Sequence, residues 1–105
     1  DFEDPIPEKI INRIKEMSDF SLNVIDDTCL ALFKNDYAGA EKAIAESHNV
    51  LKYEKKVLEL LKSIKDEETS FRVRRIVENI RRISEYASDI GEVVLNINVE
   101  KLIQR

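Results

Sequence analysis

The sequence predicts an all-α protein, an antiparallel three-helix bundle of long helices, and three observations carry that prediction. Apolar residues recur at steps of three and four through nearly the whole chain, the spacing of a helix packed lengthwise on other helices. No segment alternates with period two, so no strand is expected. Gly and Pro number only two each in 105 residues, and 43% hydrophobic with 36% charged residues is the composition of amphipathic helices. That length is one domain, residues 1–105, able to bury a core without disulfides or metal.

The first helix is expected over about 5–34. Asp4-Pro5-Ile6-Pro7 reads as its start, because proline is tolerated in a first turn. Ile10, Ile14, Met17, Ser21, Val24, Thr28 and Ala31 form its seam, which runs to about Phe33. Asn35-Asp36 breaks the pattern, and Asp36 can cap the second helix, about 37–64. There the seam reads Ala40, Ile44, Ser47, Leu51, Glu54, Leu58 and Leu61. Asp66-Glu67-Glu68 supplies a cap and acids for the positive end of the third helix, about 67–97. Its seam is Ile76, Ile80, Ile83, Ala87, Ile90, Val94 and Ile97, and Asn96-Ile97-Asn98-Val99 has weak helix propensity, so fraying is expected there. Short turns make neighbours antiparallel, in a bundle roughly 40 Å long at 1.5 Å per residue.

The apolar residues exceed one stripe. Val50 and Val57 flank the second helix, and Val73, Val77 and Val93 flank the third. This admits either a wide core face or a second face that meets another bundle, a symmetric partner or a further repeat. Cys29, the sole cysteine, excludes an intramolecular disulfide and suits a reducing cytoplasm; beside Leu30, Leu32 and Phe33 it is expected to be buried. No apolar run reaches the roughly 18 residues of a membrane span. The chain does not begin with methionine, which suggests a fragment of a longer protein.

The net charge of −4 argues against general nucleic-acid binding. Residues 52–82 hold ten Lys and Arg against six acids, whereas 83–100 hold four acids and no base. On the third helix Glu85, Asp89 and Glu92 stack on the solvent side, opposite the seam. A dipolar bundle of this kind could dock a partner of complementary charge, the alternative being a solvated mixed surface. Glu54 is the anomaly, a carboxylate inside an apolar stripe that must be paired or bound. Arg75, Arg81, Arg82 and Asn79 are its candidate partners, with metal ligation as the competing reading. Arg81 and Glu85 also have the spacing of a pair one turn apart. Catalytic templates are absent from the sequence. His48 lacks the acid three residues earlier that a di-iron Glu-x-x-His motif needs, Ala45 standing there. Neither a nucleophile–base pair nor a glycine-rich phosphate loop is legible, so the chain reads as a non-enzyme.

Residues 80–92, Ile-Arg-Arg-Ile-Ser-Glu-Tyr-Ala-Ser-Asp-Ile-Gly-Glu, resemble the third-helix signature of the PhoU family of phosphate-uptake regulators, Leu-Glu-Arg-Ile-Gly-Asp-(His)-Ala-x-Asn-Ile-Ala-Glu. Arg82, Ile83, Ala87, Ile90 and Glu92 match, and Glu85 replaces the family aspartate. Ala38-Gly-Ala-Glu-Lys-Ala-Ile44 looks like the start of the family's second helix, and Asn49-Val50 through Glu54 like its middle. Ser70-Phe71-Arg72 falls where the family has Asp-Leu-Arg, and the Arg-Arg-Ile-x-Glu-Tyr form is similar to the archaeal branch.

The resemblance implies one PhoU-like three-helix repeat acting as a cytoplasmic adaptor in phosphate homeostasis. Its implied partners are subunits of a phosphate ABC transporter or a signalling kinase, with Arg81, Arg82, Glu85, Asp89 and Glu92 as the partner-binding candidates. Since relatives have two such repeats, a homodimer or a second PhoU repeat is implied. Relatives that carry an AbrB-like DNA-binding domain imply an alternative, an effector or oligomerisation domain of a transcriptional regulator, itself without direct nucleic-acid contact. Family metal clusters use paired acidic motifs on the second and third helices. Glu54 retains one ligand while Leu58 stands at its partner position, and Arg81 replaces the first acid ahead of Glu85. Glu85-x-x-x-Asp89 keeps the spacing one turn on, so Glu54, Glu85 and Asp89 are the metal candidates, for iron or zinc. The contrary reading is that Arg81, paired with Glu54 or Glu85, replaces the cluster with salt bridges.

Overall fold

Pro7 holds the extended backbone from which the first helix springs, and its carbonyl accepts the amides of Ile10 and Ile11 at 3.0 and 3.1 Å. The computed structural model describes residues 6–103; Asp4 and Pro5, part of the expected helix start, lie outside the described residues. Helix α1 runs Glu8–Lys34, α2 Tyr37–Ser47, α3 Val50–Leu61 and α4 Glu67–Ile103. These form three arms, the second bent between α2 and α3, and α1 and α4 run parallel with the bent arm antiparallel to both. The all-α bundle expected from the periodicity is therefore what forms, with no strand among the described residues.

Local chemistry sets each boundary. Asn35 takes the left-handed conformation (φ 55°), so that its amide and that of Asp36 reach back to the carbonyls of Leu32 (3.3 Å) and Ala31 (2.8 Å). This closes α1 in a Schellman motif. The Asp36 carboxylate then accepts the Gly39 amide at 3.0 Å and caps α2. A Cβ on Gly39 would lie 2.5 Å from that carboxylate, so glycine lets the cap close. At the bend Asn49, Leu51 and Lys52 donate to the carbonyls of Glu46, His48 and Asn49, tighter three-residue steps that break the α-ladder. Asp66 precedes α4, and the Thr69 hydroxyl donates to its carboxylate. That bond, aided by the Thr69 and Glu68 amides, holds the Asp66 carboxyl below its ordinary value.

Side-chain size varies along the bundle. At one end Ile10, Met17, Val50, Val57, Leu61, Val73 and Val77 form a bulky core, with the Phe20 and Tyr53 rings stacked at 4.8 Å beside it. At the other end the core is Ala31, Ala40 and Val94. Between them the buried residues are small, among them Ser21, Ala43, Ser47, Ser84, Ala87 and Gly91. Here α2 and α4 approach closely, since a Cβ on Gly91 would meet Ile44 Cγ1 at 2.7 Å.

Several expectations are corrected. The α1 seam holds at Ile10, Met17, Ser21, Val24, Thr28 and Ala31, but it ends there, and Phe33 is exposed. Cys29 is exposed, because it points away from both neighbouring arms. In the bent arm the turn shifts the phase by one residue: Val50 and Val57 are core while Leu51 is 56% exposed. In α4 the buried line is Val73, Val77, Ser84, Ala87, Gly91 and Val94, so Ile76, Ile83 and Ile90 are half-buried flanks and not its centre. The expected fraying is replaced by helix to Ile103, where Asn98 donates to Val94 O and to Asn35 Oδ1 and ties α4 to the first turn. The longer α4 makes the molecule 61 Å long, beyond the roughly 40 Å expected.

Gly91→Val is expected to lower unfolding free energy by about 1–3 kcal/mol, through overpacking against Ile44 and a β-branched side chain in mid-helix. Urea denaturation followed by circular dichroism measures it, and an unchanged midpoint would show that α2 and α4 do not meet at Gly91.

Candidate functional site

The bend at His48–Asn49 swings the bent arm away from α4 and opens a cleft of about 280 Å³ between them. Its α4 wall is Arg81, Ser84, Glu85, Ser88 and Asp89, and its opposite wall is Ser47, His48, Val50 and Leu51. The Ser47 hydroxyl is turned back to its own helix, donating to Ile44 O at 2.6 Å. At the floor the hydroxyl of Ser84 donates to that of Ser21 at 3.0 Å, joining α4 to α1 across the core.

Glu54 sits at the lower edge of this region. Arg81 Nη1 donates to Glu54 Oε2 at 2.8 Å, with the carboxylate side chain 14% exposed and the guanidinium 33%. Of the four partners open to Glu54 in the sequence, Arg81 is the one the helix register brings to it. The bond crosses from α3 to α4 and so fixes where along α4 the bent arm sits. Because the pair is partly desolvated, each charge depends on the other for compensation. Arg81 thus turns toward Glu54 and not toward Glu85, one turn along its own helix.

The five partner-binding candidates do not form one cluster. Glu85 and Asp89 are exposed on the cleft rim, and Glu92 is exposed a turn beyond the cleft. Arg82 points to solvent and pairs with Glu78 at 2.8 Å, an i,i+4 pair of small energetic worth. Arg81 is held inward by Glu54. The metal candidates fit a metal poorly: the Glu54 carboxylate is satisfied by a cation, and among the described residues no three His, Cys, Asp or Glu side chains gather. Sequence reading missed the cleft's second wall, Ser47, His48 and Leu51. Its only signal was Ser47-His48-Asn49, three weak helix formers in a row.

A family model described as the PhoU domain matches residues 14–94. The chain belongs to the PhoU family. No curated protein and no solved structure matches it. PhoU proteins are in general non-enzymatic regulators of phosphate homeostasis. The matched span of this PhoU domain takes in Glu54, Arg81 and every other candidate above. No helix among its described residues is long and apolar enough to cross a membrane.

A double-mutant cycle on Arg81→Met and Glu54→Gln is expected to give a coupling energy of about 1 kcal/mol, with Arg81→Met alone costing about 1–2 kcal/mol. Chemical denaturation of the four proteins measures it. Additive effects would mean that the two side chains do not interact in solution.

Proposed function

We propose that this PhoU domain is a cytoplasmic adaptor that regulates phosphate transport by protein–protein contact, engaging a subunit of a phosphate ABC transporter or a signalling kinase. The match to the PhoU domain over residues 14–94 is the observation that carries this reading. The surface chemistry is compatible with it. Glu85, Asp89 and Glu92 stand on the solvent side of a long helix whose following residues up to Glu100 carry no base. Such a stripe attracts a basic partner surface and gives orientation and on-rate more than raw affinity. The Glu54–Arg81 pair contributes by fixing the arm that forms the other cleft wall. In this reading the domain works paired with a second bundle, as a homodimer or beside a second repeat.

Glu85→Lys combined with Asp89→Lys is expected to weaken binding to the transporter's ATPase subunit at least tenfold, about 1.4 kcal/mol, while leaving helicity unchanged. Surface plasmon resonance at two salt concentrations measures this. Equal affinity of the variant and the unaltered protein would remove the acidic stripe from the docking surface.

A further inference from the structure

The bent arm and α4 leave a long groove between them, and its register is fixed at two places. Gly91 meets Ile44 and Arg81 meets Glu54, so ten residues along the arm match ten along α4 across the bend. On α4 the groove is bordered by Arg74, Glu78, Arg81, Glu85, Ser88 and Glu92, at steps of four and three. On the arm Leu51, Lys55, Leu58 and Lys62 keep the same steps, starting from the cleft wall. Toward the α3–α4 turn the groove opens into a second hollow, which Ile64, Phe71 and Arg74 help to line. Two large apolar side chains stand open along it, Leu51 at 56% and Phe71 at 58% exposure. Leu51 is level with Ser84, so the two lie about 20 Å apart along the groove.

Charge divides the groove at the cleft. On the turn side Lys55, Lys62, Lys65 and Arg74 are exposed, and no ion pair among the described residues holds them. The acids bordering the groove there are engaged, Glu54 by Arg81 and Glu78 by Arg82, which leaves Glu59 and Glu67 against four cations. On the other side Glu85, Asp89 and Glu92 are exposed, again in no ion pair among the described residues, and α4 carries no base from 83 to 100. The arm's Lys42 lies on its α1 side, against Glu46.

From this we infer that the groove docks a helix of a partner protein whose charges are segregated, basic where it crosses Glu85, Asp89 and Glu92 and acidic where it crosses Lys55, Lys62 and Arg74. Apolar side chains about two heptads apart seat that helix over Leu51 and Phe71. A helix fits because the groove is walled by helices and offers no unpaired backbone edge to an extended strand. A uniformly basic segment would gain at one end and be repelled at the other. This inference deepens the proposed function by naming the form of the docked segment, and it rests on that reading only in taking a protein as the partner.

The probe is a fluorescent synthetic helix of about 18 residues, with leucines two heptads apart, glutamates in its first half and lysines in its second, an order that its own dipole favours. A control peptide has the same composition with the charges alternating. Fluorescence anisotropy is expected to show the segregated peptide binding at least tenfold tighter than the control. Lys55→Glu combined with Lys62→Glu weakens its binding about tenfold, and so does Glu85→Lys combined with Asp89→Lys. All four positions are exposed, and circular dichroism checks that helicity is kept. With lysines in both halves of the peptide, Lys55→Glu combined with Lys62→Glu instead tightens binding. Equal affinity for the segregated and alternating peptides overturns the inference. So does unchanged binding of the segregated peptide to the Lys55→Glu, Lys62→Glu variant, which would make a plain basic segment the occupant. A dimer in sedimentation equilibrium that this variant dissociates overturns it too, with a second copy as the occupant. The peptide carries no transporter sequence, so failure of transporter binding leaves the peptide result standing, and the reverse.

Discussion

The parallel contact between α1 and α4 governs the rest of the molecule. Small residues make its middle, with Ser21 on Ser84, and the Asn35–Asn98 bond lies near its far end. Buried hydroxyls must be paired, so Ser21 and Ser84 tolerate little sliding along the axis. Leucines in their place would hold the helices apart with less positional preference. Once that register is set, the bent arm packs into the remaining groove, deep where Ala40 and Ala43 meet Gly91 and shallower where valines and leucines replace them. The bend at His48–Asn49 accommodates the change in width along a single arm.

The same register decides what the charged residues do. Glu54 reaches Arg81 because the bent arm stops where it does, and with that bond formed each charge compensates the other. Glu85, Asp89 and Glu92 remain outside, exposed on α4. A PhoU domain organised this way uses a protein ion pair to join its helices at the place where the family resemblance implies metal-binding acids.

Much of this was legible in the sequence, and unevenly. The α1 seam was readable because its apolar and small residues keep one phase from Ile10 to Ala31, and Asp36 and Asp66 announced the two helix starts. The α3 and α4 seams held at Leu61, Ala87 and Val94 but were misplaced by one residue elsewhere, for a physical reason. Both helices are apolar on two adjacent lines, and periodicity alone cannot choose between Ile83 and Ser84 or between Ile90 and Gly91. Hydropathy favours the isoleucines, whereas close helix approach selects the serine and the glycine. Cys29 was misread for a related reason, as its apolar neighbours Leu30, Leu32 and Phe33 are themselves exposed. At the site, Glu54 stood out as a carboxylate in an apolar stripe, but its choice of Arg81 depended on the register between helices, which no single-helix pattern contains.

Register is therefore the claim to test. In a Cys29→Ser background, Ser21→Cys with Ser84→Cys places two thiols where the hydroxyls now meet at 3.0 Å, while Ser18→Cys with Ser84→Cys offsets them by about one turn. Mild oxidation followed by mass spectrometry reads which pair closes. The account predicts rapid closure of the first pair and an open second pair. No closure of the first, or equal closure of both, would contradict a fixed α1–α4 register.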